Sequence, residues 1–409
     1  MAEKGDSGKI DQEENKSAIE KHAVVSELPM EWTQLGEGAK NVRPVRYPLD
    51  VYEYSNEPDE TYLEIVGTAG MKITNMGKDL YRTCNPNLTH LIFRSHLIKK
   101  MEGIRDFRHL EVLELYDNQI EYLDELGDDT EEPNAGETIK TLDMSYNVIR
   151  SMEEVRFCPN LVELYLANNK IKVISGLENL TSLKKIDLGA NRIRKMEPKQ
   201  FQNLVNLEEL WLGKNKIEMI EGVSNLKSLR RLDVQSNRLL TVENLEGLED
   251  TLEEFYLAHN GIDNEGAMKA SGLMLEFKEL ATLDLSRNRL TSCEPFAHMI
   301  TLNELWLSSN QIATFDDIEP ISNLGTRTGA CLSEVYMEHN PIYNDFEYRK
   351  KLKEIIPSLV QIDANVIGAT GYGSAMPKSP AEIIEQMRVL QQKAIDRAQQ
   401  EKEEGNDQE

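Results

Sequence analysis

The side chains best suited to chemistry recur along this chain at a nearly fixed interval. Glu114, Asp143, Tyr165, Asp187, Trp211, Asp233, Tyr256, Asp284, Trp306 and Tyr336 follow one another at steps of 22 to 30 residues, and all ten are acidic or aromatic. Two residues before them stand Glu163, Glu209, Glu254, Glu304 and Glu334, interrupted by Lys185, Arg231 and Thr282. Carboxylates in such an array can work as paired acids and bases or can hold cationic side chains. Large rings with polar tips can be buried against a partner, where truncating one typically costs about 2–4 kcal/mol. Paired-acid catalysis needs two carboxyls at a fixed short separation in a site closed to water. Nothing in the spacing supplies a nucleophile–base pair or an enclosed pocket, so the expectation is a binding face and not an enzyme. The seven histidines and four cysteines form no metal-ligand grouping, so neither a metal nor a cofactor is expected.

The interval comes from an internal repeat, L-x-x-L-x-L-x-x-N-x-I/L. It is clearest in LVELYLANNKI (161–171), LKKIDLGANRI (183–193), LEELWLGKNKI (207–217) and LNELWLSSNQI (302–312), and the sequence holds eleven copies. This is the pattern of a leucine-rich repeat. The L-x-L core is a short strand whose leucines point inward and whose central residue points out. The motif asparagine turns the chain, and its amide can bond backbone groups that the bend leaves unpaired. His96 takes that place in the first copy, LTHLIFRSHLI (88–98). One repeat cannot bury its own leucines, so stacking makes the core. The fold expected is an α/β solenoid with a parallel concave sheet and 3₁₀ or irregular convex segments. Eleven strands about 4.8 Å apart give a concave ribbon on the order of 50 Å long. The ten recurrent side chains line that ribbon.

The rest of the chain frames the repeats. Residues 1–60 carry 14 acidic and 7 basic residues, a composition that predicts disorder, and 61–87 reads as an N-terminal cap on repeats 88–342. In 343–367, Asp345 is placed to N-cap a closing helix with Tyr348, Leu352, Ile355 and Ile356 on its apolar face and Pro357 as its stop. The tail, 368–409, contains a short amphipathic helix pattern. The insertion Glu121–Thr138 carries eight acidic residues and no basic one, and reads as a solvated loop or a contact for a basic partner. The formal net charge of −25 argues against nucleic acid and anionic membrane surfaces, and no apolar run reaches the length of a membrane span. Scattered cysteines fit reduced thiols filling core space.

The motifs LYDNQI (115–120), LGKNKI (212–217), VQSNRL (234–239) and HNGI (259–262), with EYRKKLKEIIPSLVQIDA (347–364), resemble the nuclear leucine-rich-repeat regulatory subunits of protein phosphatase 1, over roughly residues 85–367. The resemblance implies a non-catalytic subunit that binds the phosphatase catalytic subunit through the concave face. Matched motif by motif, it points to Asp143, Tyr165, Asp187, Trp211, Asp284, Glu304, Trp306 and Tyr336. It further implies a nuclear and cytoplasmic location, a part in mitosis and chromosome segregation, and a candidate further inhibitor subunit in a ternary complex. The residues alone leave open an adaptor for another protein, such as a splicing or cytoskeletal component. The partner-binding set expected is Glu114, Asp143, Tyr165, Asp187, Trp211, Asp233, Tyr256, Asp284, Glu304, Trp306 and Tyr336.

Overall fold

The computed structural model describes residues 60–78, 80–129, 134–325 and 332–367, together with three short strands nearer the N-terminus. Those are β1 (Val24–Val25), β2 (Arg46–Pro48) and β3 (Tyr52–Glu53). Next come β4 (Tyr62–Val66) and β5 (Lys72–Asn75). The repeat strands are β6 (His90–Arg94), β7 (Val112–Glu114), β8 (Thr141–Asp143), β9 (Glu163–Tyr165), β10 (Lys185–Asp187), β11 (Glu209–Trp211), β12 (Arg231–Asp233), β13 (Glu254–Tyr256), β14 (Thr282–Asp284), β15 (Glu304–Trp306) and β16 (Glu334–Tyr336). A closing pair, β17 (Gln361–Ile362) and β18 (Asn365–Val366), follows. The tail helix expected after 368, and most of the acidic N-terminal region, lie outside the described residues.

Fourteen strands, β4 and β6 to β18, form one curved sheet in unbroken order. Every neighbouring pair is parallel except β17–β18, which turns back antiparallel at the end. The leucine pattern explains the regularity. Leu164 and Leu166 are fully buried on either side of a half-buried Tyr165, and the same alternation recurs from β7 to β16 except at β12 and β14, where the central Asp233 and Asp284 are themselves buried. Short 3₁₀ turns such as Glu153–Phe157, Glu294–Phe296 and Glu319–Gly325, and one-turn helices such as Pro198–Phe201, carry the chain back along the convex side. The fold is an α/β leucine-rich-repeat solenoid, as the spacing predicts.

The motif asparagines do the work expected of them. Asn191 Nδ2 donates to the carbonyls of Leu166 (2.9 Å) and Leu188 (3.0 Å), while its Oδ1 accepts from the Ile171 N–H (3.0 Å). Each asparagine thus ties its own turn to the rung before it. The residue ahead of it sits in the left-handed region, as at Ala190 (φ 54°) and Lys214 (φ 57°), which costs a non-glycine residue energy that these bonds offset.

Three details amend or sharpen the sequence reading. First, β4 continues the sheet as a further parallel strand, five residues in register with β6. His96 joins the two rungs as an asparagine would: Nδ1 accepts from the Ile73 N–H (3.0 Å), and Nε2 lies 2.9 Å from the Ile65 carbonyl. Second, the closing helix runs Tyr348–Ile355 with Glu347 at its N-cap. Asp345 instead accepts from the Glu347 N–H (2.8 Å), two residues before the helix's N-cap, because it is taken up as the C-cap of the preceding 3₁₀ turn, Pro341–Asn344. Its face of Tyr348, Leu352 and Ile356 is buried as expected, with Ile355 partly so. Third, the acidic insertion is tied to this chain's own arginines. Arg156 pairs with Asp129 (2.8 Å), Arg150 with Glu121 (2.7 Å), and Arg105 with Asp128. Cys84, Cys158 and Cys293 are buried, and burial pushes the Cys158 thiol up to about 12. Cys331 lies outside the described residues.

Candidate functional site

A parallel sheet in exact register stacks equivalent residues one above another. Glu114, Asp143, Tyr165, Asp187, Trp211, Asp233, Tyr256, Asp284, Trp306 and Tyr336 are therefore register neighbours in one continuous column. A parallel column holds Thr141, Glu163, Lys185, Glu209, Arg231, Glu254, Thr282, Glu304 and Glu334. Both lie on the solvent side of the buried strand leucines. The eleven residues singled out by sequence thus share one face.

The column is not uniform. Its four aspartates have a job inside the fold. Oδ1 of Asp143, Asp187, Asp233 and Asp284 each accepts the backbone N–H two residues on, at 2.8 Å (from Ser145, Gly189, Gln235 and Ser286). This Asx turn starts the bend that the asparagine completes. Burial raises the pKa of all four carboxyls. Asp233 is the most committed, because its Oδ2 also accepts from Gln235 Nε2 (2.8 Å) and only 3% of the residue is exposed. On Asp187 the second oxygen remains the one a partner can use.

The glutamate column divides along its length. At the N-terminal end Arg94 pairs with Glu114 and with Glu64 (3.4 Å). In the middle Lys185 pairs with Glu209 (3.1 Å), and Arg231 with Glu254 (2.6 Å) and, more loosely, Glu209 (3.9 Å). Arg231 also lies over the Trp211 ring at 5.2 Å, and Trp211 Nε1 donates to Glu209 (3.1 Å). Tyr256 donates to Glu254 (2.6 Å). The cations that interrupt the acidic column are thus its internal counterions.

At the C-terminal end that compensation stops. Glu304 and Glu334 are direct register neighbours, and no cation pairs with either among the described residues. Like charges on adjacent strands repel. Burial, and then the nearby Glu334, raise the Glu304 carboxyl above its usual range. Beside them the Trp306 and Tyr336 rings meet at 5.1 Å, tilted by 53°. The Trp306 indole N–H is buried, and the neighbour it acts on is Glu304, whose charged form it favours, although the two fall outside hydrogen-bonding geometry. Burial and the flanking glutamates push the Tyr336 hydroxyl up to about 12, so it stays a neutral donor. Gln361, on β17, donates to that hydroxyl. Sequence reading missed Gln361, because it stands in the closing cap where no repeat phase marks it. Glu334 was visible only as one more acid in the column. Its lack of a counterion needed coordinates.

The arrangement can hold cationic and apolar side chains on a broad face. Among the described residues no group of three or more His, Cys, Asp or Glu side chains is placed to hold a metal ion, and no helix is long and apolar enough to cross a membrane.

Family models described as leucine-rich repeats match residues 159–200, 181–239 and 251–269. Over 108 residues the chain is 34% identical to the protein phosphatase 1 regulatory inhibitor subunit PPP1R7 homolog of Arabidopsis thaliana, covering 26% of this chain and 31% of that protein. Over 77 residues it is 39% identical to the protein phosphatase 1 regulatory subunit SDS22 of Schizosaccharomyces pombe, covering 18% of this chain and 22% of that one. The matches therefore span less than a third of either relative. Among solved structures, a leucine-rich-repeat protein of Leptospira interrogans superposes with a TM-score of 0.61 at 25% identity, covering 75% of this chain and 72% of that one.

Proposed function

We propose that this leucine-rich-repeat protein is a non-catalytic regulatory subunit that binds the catalytic subunit of a type-1 Ser/Thr protein phosphatase through its concave face. The observation that carries the reading is the uncompensated end of that face. Glu304 and Glu334 stand together without a counterion beside a Trp306–Tyr336 ring pair. A basic side chain between the two carboxylates would relieve their repulsion, and an apolar one against the rings would be fully dried. This combination makes a hot spot. The similarity to proteins named as phosphatase 1 regulatory subunits chooses the partner class. Asp143, Asp187 and Tyr165 extend the contact toward the N-terminal end, with carboxylates steering a basic surface into place.

In this reading the chain performs no chemistry of its own and works in the nucleus and cytoplasm, including at mitosis, where a phosphatase must be directed to its substrates. A further inhibitor subunit can join the assembly on the phosphatase side. Affinity purification of the tagged full chain from cells, followed by mass spectrometry, tests the partner. A phosphatase catalytic subunit recovered in near-stoichiometric amount with the wild type, and lost with Glu304→Ala plus Trp306→Ala, is the expected result. A different dominant protein captured by the same face would replace the phosphatase with another partner.

A further inference from the structure

One surface runs against the charge of the whole molecule. A groove of about 490 Å³ is lined by Lys172, Arg192, Arg194, Lys195 and Lys216, with Glu197 its one acidic residue. It lies in the loops that follow Asn169, Asn191 and Asn215, on three consecutive repeats and away from the concave columns. Repeated backbone bonds hold these loops in step: Lys170 N–H donates to the Ile149 carbonyl, Arg192 to Ile171 and Lys216 to Ile193, each at 2.8–2.9 Å. Arg192 is thereby stacked on Lys216, and Arg194 on Lys172, about 5 Å from rung to rung, with Lys195 beside them, an arrangement that repels itself.

Counterions are available elsewhere and are used. Lys184 pairs with Glu208 (2.9 Å), Arg230 with Glu253 (2.8 Å) and Arg150 with Glu121 (2.7 Å). The five groove cations make no ion pair and no side-chain hydrogen bond among the described residues. In a chain of net charge −25, five unpaired cations around one open groove form a local positive field inside a negative one. Val173, 57% exposed within the same lining, adds an apolar contact.

We propose that this groove docks an acidic protein segment in extended conformation, laid across the three repeats so that its carboxylates meet the stacked cations. The local field favours a short acidic peptide over a nucleic acid. Exposed charges act over roughly 8 Å at physiological salt, so a peptide confined to the groove feels mainly its cations. A longer polyanion would extend over the acidic surroundings. The surface is separate from the Glu304–Trp306 region, so a partner here and one on the concave face can bind together.

The test uses the full chain and a fluorescein-labelled hexaglutamate peptide, with fluorescence anisotropy as the readout. Saturable binding is expected, falling at least about tenfold with Lys172→Glu, Arg194→Glu and Lys216→Glu combined, and less with the same positions changed to Gln. Lys172 and Arg194 are exposed and Lys216 half-buried, and unchanged thermal melting of the variants verifies the fold. Glu304→Ala plus Trp306→Ala should leave peptide binding intact, and hexaglutamine should not bind. Absence of saturable binding, binding that survives the charge reversal, or tighter binding of a deoxythymidine hexamer would each overturn the proposal.

Discussion

Asp187 shows how one side chain can serve both the fold and a partner. Its Oδ1 holds the Gly189 N–H while burial raises its pKa. A carboxyl whose folded pKa lies above its unfolded value stabilises only at low pH, and this contribution is lost as pH rises through the folded value. At neutral pH the buried charge is therefore a burden to the fold. Asp187→Asn keeps the acceptor and removes the charge. It should match or slightly exceed wild-type stability in urea unfolding and still weaken the partner. Asp187→Ala should lose the turn as well, at about 1 kcal/mol. His96 carries the opposite sign. Burial lowers its pKa from 6.5 to about 4, and its Nδ1 must stay unprotonated to accept from Ile73. The stability this gives is present above pH 6.5 and is lost as pH falls toward 4. Melting temperature followed across that window should drop more steeply for wild type than for His96→Asn, which replaces the imidazole with the group used in the other rungs. Equal slopes would remove His96 from the acid response.

Among the elements, the eleven repeat strands were legible in the sequence because each carries apolar residues at the same phase, and ten of them the motif asparagine, which His96 replaces in the first. The columns of acid and ring followed at once, since a parallel stack turns sequence phase into spatial alignment. Strand β4 was not legible as a rung: Tyr62–Val66 has no motif asparagine after it, and its link to the next rung is made by His96 from the other side. Strands β17 and β18 escaped for a similar reason, being too short to show a pattern. Nor does spacing reveal which carboxylates are already neutralised, because Lys185 and Arg231 act on neighbours 22 to 24 residues away. The cap helix makes its own prediction. Leu352 is fully buried where the stack would otherwise end. Leu352→Ala should cost about 2–5 kcal/mol. In a solenoid, where each rung contacts only its neighbours, the loss should begin locally. Hydrogen exchange should show β15 to β18 losing protection while β8 to β10 keep theirs. Uniform loss along the sheet would show that the cap does not act as a local seal.

At the scale of the whole molecule, the net charge of −25 is distributed with purpose. The acidic insertion is tied back to Arg105, Arg150 and Arg156, and the middle of the concave face carries its own counterions. Unbalanced acid is concentrated at Glu304 and Glu334, and unbalanced base in the groove around Arg194. The concave face thus carries its own ion pairs around Arg94, Lys185 and Arg231 and none at the adjacent Glu304 and Glu334, so binding energy should be concentrated at the C-terminal end. The most direct measurement is the affinity of the purified full chain for a type-1 phosphatase catalytic subunit, compared between wild type, Glu304→Ala plus Trp306→Ala, and Trp211→Ala. The double variant should lose about 3–5 kcal/mol, a hundredfold or more in Kd, and Trp211→Ala, whose ring is already engaged by Arg231 and Glu209, clearly less. Wild-type affinity retained by the double variant, with its melting temperature unchanged, would contradict the account.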